Sequence, residues 1–246
     1  FFLVDDKTVK EYRLQNFAKP MFGRSEHCPG VVYSQKVHKR NASKGLPTNF
    51  INFGKITFDD LPSGAQDYIR EGEKQNLHTR YKCRIRTPWY SVPSVYSTNV
   101  GMLKRSHNYP RLILNRAKTY STDTAYRIST SIRETSFVYC FINSLTALTA
   151  ELEGRHYGGG VLELVPSEIE KLLIPVIDIE NVDLEDLDSG ISKKHDPNAL
   201  FVKQDAKVLT AAGLSAYQCR IIHRAWLRVR SRRHRLLGVK CEEMED

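Results

Sequence analysis

KQNLHTRYKCRIRTPWYSVPSVYSTNVGMLKRSHNYPRLILNRAKTYST, residues 74–122, is the stretch on which the reading of this chain turns. It carries ten cations (Lys74, Arg80, Lys82, Arg84, Arg86, Lys104, Arg105, Arg111, Arg116 and Lys118) and no acidic residue between Glu73 and Asp123. Six aromatics, Tyr81, Trp89, Tyr90, Tyr96, Tyr109 and Tyr120, are threaded through it together with His78 and His107. A solvated surface normally mixes both signs of charge. One-signed charge over this length points to a polyanionic partner, nucleic acid foremost. The bland alternative is a basic face neutralised by acidic residues folded against it. Within the stretch, Tyr81, Cys83 and Ile85 alternate with Arg80, Lys82, Arg84 and Arg86. That period of two predicts a strand with its apolar residues inward and four cations outward.

Working outward, residues 111–115 read as a compact strand and residues 125–128 as its successor. The link from Arg116 to Thr124 is rich in Ser and Thr, suited to bonding base edges in a groove and equally to a plain turn. Upstream, Phe1 to Val4 reads as a buried strand, and Lys7 to Tyr12 as a short helix capped by Asp5 or Asp6. Val31 to Tyr33 is a candidate strand, polar Ser34 to Asn49 an exposed loop, and Phe50 to Phe53 another strand. Leu61 to Lys74 reads as a helix capped by Ser63. Downstream, Ser136 to Glu153 takes a helical period with Phe137, Phe141, Leu145, Leu148 and Leu152 as its apolar stripe, stopped by Gly154. Residues 155–160 (Arg-His-Tyr-Gly-Gly-Gly) read as a tight turn and Val161 to Val165 as a strand. Pro166 starts a short helix at its first position, and Leu172 to Val176 reads as a strand. Asp178 to Asp188, with six acids and no base, reads as a linker or solvated surface. Two helices, Phe201 to Ala212 and Leu214 to Leu236, divide at Gly213. The second bears Arg220, Arg224, Arg228, Arg230, Arg232, Arg233 and Arg235 beside an apolar stripe, so its cationic face is either solvated or set against phosphates.

At 246 residues, 41% hydrophobic and 10% aromatic, the chain has material for a sizeable core. A net charge of +9 favours nucleic acid or an anionic surface over an acidic small-molecule ligand. Cys28, Cys83, Cys140, Cys219 and Cys241 show no Cys-x-x-Cys spacing, which suits reduced thiols and a cytoplasmic location. No apolar run reaches membrane length. The chain opens on Phe1 with strand-like sequence, and the expectation is the C-terminal part of a longer protein. Asp5-Asp6-Lys7 has the ending of a nuclease motif without an upstream carboxylate partner. No Ser/His/Asp arrangement is visible locally, and the histidines show no metal spacing. The chain by itself is therefore not expected to be an enzyme.

Several stretches together resemble one family. They are the Phe1-Phe2 opening, Gly23-Arg24 followed by Gly30 to Tyr33, residues 89–93 (Trp-Tyr-Ser-Val-Pro), and residues 110–115 (Pro-Arg-Leu-Ile-Leu-Asn). Residues 142–144 (Ile-Asn-Ser), residues 155–164 (Arg-His-Tyr-Gly-Gly-Gly-Val-Leu-Glu-Leu) and residues 173–175 (Leu-Ile-Pro) follow. Their order resembles the C-terminal specificity region of TaqI-like, adenine-specific DNA methyltransferases of restriction–modification systems, over roughly residues 1–176 and the final helix. The resemblance implies an α+β fold with a mixed, mostly antiparallel sheet and packed helices. It implies a DNA target-recognition domain at residues 1–189, a basic helical C-terminal appendage at 190–246, and double-stranded DNA as partner. It also implies a catalytic domain upstream of residue 1 that binds S-adenosylmethionine and holds a flipped adenine in an Asn-Pro-Pro-Tyr/Phe motif. No such motif and no Gly-rich cofactor loop stands in this chain, so no cofactor is expected here. A stand-alone module, such as a type I restriction specificity subunit or an RNA-binding protein, is the alternative.

The expected division of labour follows from chemistry. Arg80, Lys82, Arg84, Lys104, Arg105 and Arg155 are candidates for phosphates, since backbone charge is met wherever a cationic face lies. His107, Asn108, Arg116, Thr122 and Asp123, on turns bordering the 111–115 strand, are candidates for base edges. No residue is assigned a catalytic or metal-binding role.

Overall fold

A computed structural model describes residues 1–93, 97–121 and 125–234. In chain order its elements are β1 (Leu3–Val4), α1 (Asp6–Glu11), β2 (Ala18–Phe22), α2 (Gln35–Ser43), β3 (Asn49–Ile51), α3 (Ser63–Lys74) and α4 (Tyr81–Arg84). Next come β4 (Val100–Leu103), β5 (Arg105–Ser106), β6 (Leu112–Leu114), β7 (Tyr120–Ser121) and β8 (Ala125–Ile128). The remainder is α5 (Glu134–Cys140), α6 (Ser144–Glu153), β9 (Arg155–Tyr157), β10 (Val161–Glu163), α7 (Pro166–Ile169), α8 (Leu184–Ser192), α9 (Pro197–Ala211) and α10 (Ala216–Arg233). The class is α+β, as expected. Its strands form three small sheets ordered β1-β3-β2-β7, β5-β10-β9 and β6-β4-β8. Every strand pair whose register is defined is antiparallel except β2 with β7.

The chain divides into two units interleaved in sequence: residues 1–28, 32–99 and 115–125, and residues 29–31, 100–114 and 126–246. In the first, Val4, Leu14, Ile51, Phe53, Leu61 and Ile69 form a buried core. Fully burying side chains of this size stabilises by roughly 1.5–3 kcal/mol each. Aromatics close its edge. Phe1 stacks on Tyr68 with ring centres 4.6 Å apart, and Trp89 lies 5.3 Å from Phe1. Gly72 makes room for them, since a Cβ there would come within 2.6 Å of the Phe1 ring. Asp5 caps α1 by accepting from the Thr8 N–H, one of the two carboxylates expected to do so.

In the second unit α10 packs on α6 and α9. Trp226 of α10 is fully buried and stacked on Phe201 of α9, 4.1 Å between centres. Residues 190–234 thus fold with residues 126–189 in one unit. Ser215 caps α10 in a reciprocal box with Gln218, and Pro166 opens α7 at its first turn. Asp205 of α9 accepts from the Ser144 N–H (2.7 Å) and Oγ–H (2.5 Å), while Ser144 Oγ lies 2.8 Å from His223 Nδ1. This Ser/Asp/His group ties α6, α9 and α10 together. Its order is wrong for nucleophilic catalysis, because the carboxylate engages the serine rather than orienting the ring, and all three side chains are buried.

Several expectations give way to the structure. Residues 80–86 are not a strand: Arg80 stands at the N-cap position of the single turn α4, with Cys83 buried while Tyr81 and Ile85 face solvent. Four residues are too few to display a period, and the alternation was coincidental. Residues 35–43 of the expected loop form a helix and only 44–48 stay irregular; Ser34 caps α2, whose one buried residue is the polar Asn41, so the helix lacked an apolar signature. Pro62 rather than Ser63 occupies the N-cap of α3. The predicted helix 136–153 breaks into α5 and α6, because Asn143 accepts from the Thr146 N–H at 2.9 Å and starts a new helix. Leu152 of its supposed stripe is 63% exposed. Residues 155–157 form β9 rather than part of a turn, whereas neither 31–33 nor 172–176 forms a strand. The acidic stretch 178–188 runs into α8, where Asp188 accepts from the Val31 N–H at 2.7 Å.

Candidate nucleic-acid interface

Charge is divided unevenly between the units. The first contains 18 Lys and Arg against 10 Asp and Glu, a net of +8; the second contains 19 against 18, a net of +1. Nearly all the excess that makes the chain basic therefore belongs to the first unit.

Three of the expected phosphate contacts, Arg80, Lys82 and Arg84, share the α4 turn of that unit, and all three are exposed. Among the described residues no carboxylate makes an ion pair with any of them, nor with Arg86 beside them. Leu77 and Cys83 are the buried residues of this segment, and Trp89, which follows it, donates its indole N–H to Glu73 Oε1 of α3 at 3.1 Å. Asn76, in the left-handed region at φ 56°, reverses the chain after α3 to deliver it.

Arg116 lies on a second projection of the same unit. Asn115 anchors that loop: its Nδ2 donates to the Thr98 and Thr119 carbonyls at 2.8 and 2.7 Å, and its Oδ1 accepts from the Thr119 N–H at 3.1 Å. Gln35 Nε2 donates to the Ala117 carbonyl at 3.0 Å. With the backbone so fixed, Arg116 and Lys118 stand outward while Ala117 and Thr119 are buried. Thr122 and Asp123, also candidates for base edges, lie outside the described residues.

The remaining candidates belong to the second unit and gather on the sheet β5-β10-β9. Arg105 on β5 pairs with Glu163 on β10 at 3.1 Å, and Arg155 on β9 pairs with Glu168 at 2.8 Å. The Val165 N–H first, and Arg155 second, hold the Glu168 carboxyl below the usual carboxylate range. Lys104 sits over the Tyr126 ring, 4.8 Å from its centre. These cations already have partners, which sets them apart from the α4 group.

His107 and Asn108 follow β5 and are clamped by α10. Arg230 Nη2 donates to Asn108 Oδ1 at 3.0 Å. Arg233 Nη1 donates to the His107 carbonyl at 2.7 Å and to the Gly160 carbonyl, and Nη2 to the Asn108 carbonyl at 3.2 Å. The rest of that guanidinium forms a bidentate pair with Glu151 of α6, both bonds 2.7 Å and both side chains fully buried. Arg233 is accordingly no part of a solvated arginine face. Gly159 and Gly160 take φ of 75° and 74°, which Gly adopts without strain, and a Cβ on Gly160 would stand 3.0 Å from His234 Nδ1. Burial first, then Arg233, Arg230 and His107, push the His234 pKa down to about 4. The sequence pointed to the glycines but gave no hint of the Arg233–Glu151 pair. The absence of any acid along α10 was the available signal that some of its cations needed partners elsewhere.

Among the described residues no cluster of His, Cys, Asp or Glu is arranged to hold a metal ion, and no helix is long and apolar enough to cross a membrane. The interface candidates are thus cationic loops on an α+β frame without a metal centre among the described residues. Residues 1–209 match the family described as the type II methyltransferase M.Eco57I C-terminal domain. The chain belongs to that family, and so to the C-terminal domains of restriction–modification methyltransferases. Its fold is similar to part of the type IIG restriction endonuclease BpuSI, with a TM-score of 0.51 at 10% identity, covering 94% of this chain. The chain spans 28% of the length of that structure. No curated protein matches it.

Proposed function

We propose that this chain is the target-recognition domain of an adenine-specific, S-adenosylmethionine-dependent DNA methyltransferase, and that it reads double-stranded DNA for a catalytic domain elsewhere in the protein. The observation that carries the reading is the α4 turn: Arg80, Lys82 and Arg84 stand exposed, without carboxylate partners among the described residues, on the unit that holds nearly all the net charge. Cations left without protein partners are the ones free to displace counterions from a phosphate backbone. Arg116 and Lys118 extend the same chemistry on a loop whose backbone is fixed by Asn115. Arg105 and Arg155, already paired, are secondary, and His107 and Asn108 read bases only as far as their clamped loop allows.

The test is the salt dependence of duplex binding. Replacing Arg80, Lys82 and Arg84 together with Ala should lower the slope of log K against log salt by about three, roughly one per phosphate contact. Replacing Arg105 and Arg155 should change it by less than one. Unchanged affinity in the triple variant at physiological salt would refute the assignment of the surface. Calorimetry on the 246-residue chain should show no stoichiometric S-adenosylmethionine site.

A further inference from the structure

Two large apolar side chains that a strand would have turned inward are on the outside. Tyr81 is 69% exposed and Ile85 65%. Four residues apart across α4 and its C-cap, they lie on one side of the turn. Scattered exposed hydrophobics need no explanation. This pair is different, because Arg80, Lys82 and Arg84 are interspersed with it and none has an ion-pair partner among the described residues. A partner surface that covers the pair must also accept three cations, and so must be anionic. Two side chains on a four-residue turn give too little apolar area for stable seating on a lipid surface, which takes a long amphipathic face or an acyl chain. A duplex groove needs no such area. The major groove is about 12 Å wide, presents thymine methyl groups to apolar side chains, and is walled by phosphates on both sides.

We propose that Tyr81 and Ile85 form the base-side contact of the interface, entering a groove of duplex DNA while Arg80, Lys82 and Arg84 hold the flanking phosphates. This rests on the DNA reading above and adds to it two specificity-determining residues. Their contribution is apolar, so it is insensitive to salt and sensitive to sequence, whereas that of the three cations is the reverse.

The experiment compares the 246-residue chain with Y81A/I85A, Y81F and R80A/K82A/R84A, each first checked for an unchanged thermal melt. The probes are a randomised duplex library of about 30 base pairs and vesicles containing phosphatidylserine. The expected result is that Y81A/I85A binds the selected duplexes about tenfold more weakly, relaxes the preference at one or two positions and leaves the salt slope intact, while Y81F behaves as the parent. If Y81A/I85A keeps both affinity and preference while the triple variant loses affinity, the inference fails and the DNA reading survives. If the parent chain binds no duplex, both fail. If Y81A/I85A releases the chain from vesicles and not from DNA, the pair is a lipid contact and the inference is overturned.

Discussion

Replacing Arg233 with Met should be among the most damaging single changes the second unit can suffer. The guanidinium makes five hydrogen bonds: two to Glu151 and three to the carbonyls of His107, Asn108 and Gly160. Both members of the ion pair are fully buried. Met fills much of the volume but leaves the Glu151 carboxylate in the interior, with His156 Nε2 at 3.6 Å as its nearest basic group. Breaking a buried pair from one side destabilises by about 3–5 kcal/mol, most of it from the stranded charge. At roughly 2–4 °C per kcal/mol for a chain of this size, the melting temperature should fall by about 6–20 °C. Removing the second charge as well, in R233M/E151L, should recover a large part of that loss, because an apolar pair of similar volume is tolerated where a lone charge is not. Urea denaturation of the parent, both single variants and the double at neutral pH gives the coupling energy, expected at 2 kcal/mol or more in the direction of rescue. A single variant melting within about 2 °C of the parent, or a double whose loss is the sum of the singles, would refute the reasoning.

His234 should confer a pH dependence on the same region. Its pKa falls from an ordinary 6.5 to about 4 in the folded protein, so the unfolded chain takes up the proton first. Stability from this group is complete above about pH 6.5 and is lost as pH falls toward 4, by about 1–2 kcal/mol once partial exposure of the ring is discounted. Melting curves at pH 7 and pH 4.5 should converge more closely for H234Q than for the parent; equal losses in the two would exclude His234. Finally, N143A should destabilise by about 1–2 kcal/mol in chemical denaturation, because the buried amide that caps α6 also donates to the Cys140 carbonyl at 2.6 Å. An effect under 0.5 kcal/mol would mean that the break between α5 and α6 is held by something else.

What the sequence made legible was whatever carried its own local chemistry. Asp5 before α1, Pro166 at the start of α7 and Gly213 between α9 and α10 act on the backbone within a few residues, and each stands where expected. The basic stretch was visible as charge, but not in its geometry. Tyr81, Cys83 and Ile85 satisfy a period of two, while Tyr81 and Ile85 alone satisfy the four-residue spacing of a helical turn, and it is the exposure of Tyr81 and Ile85 beside a buried Cys83 that decides between them. Which residues pair over long separations could not be read from the sequence. Asp188, in a stretch that reads as solvated linker, bonds to Val31, and the Arg-rich helix that bears Arg233 gives no sign that its partner is Glu151. So the composition revealed that the chain is cationic, whereas which cations remain without partners depends on contacts across the fold.

The interleaving of the two units bears on how such a domain can be made and exchanged. The second unit takes in Pro29–Val31 before the first is complete, and the first waits for residues 115–125. A ribosome therefore releases the last piece of the first unit only after two pieces of the second have emerged, and neither unit corresponds to an uninterrupted run of codons. Recombination that swapped either one alone would need crossovers at every passage between them. Under the proposed function, a gene exchange that alters target preference must then move both together, or work by point substitution in exposed turns such as the one bearing Tyr81.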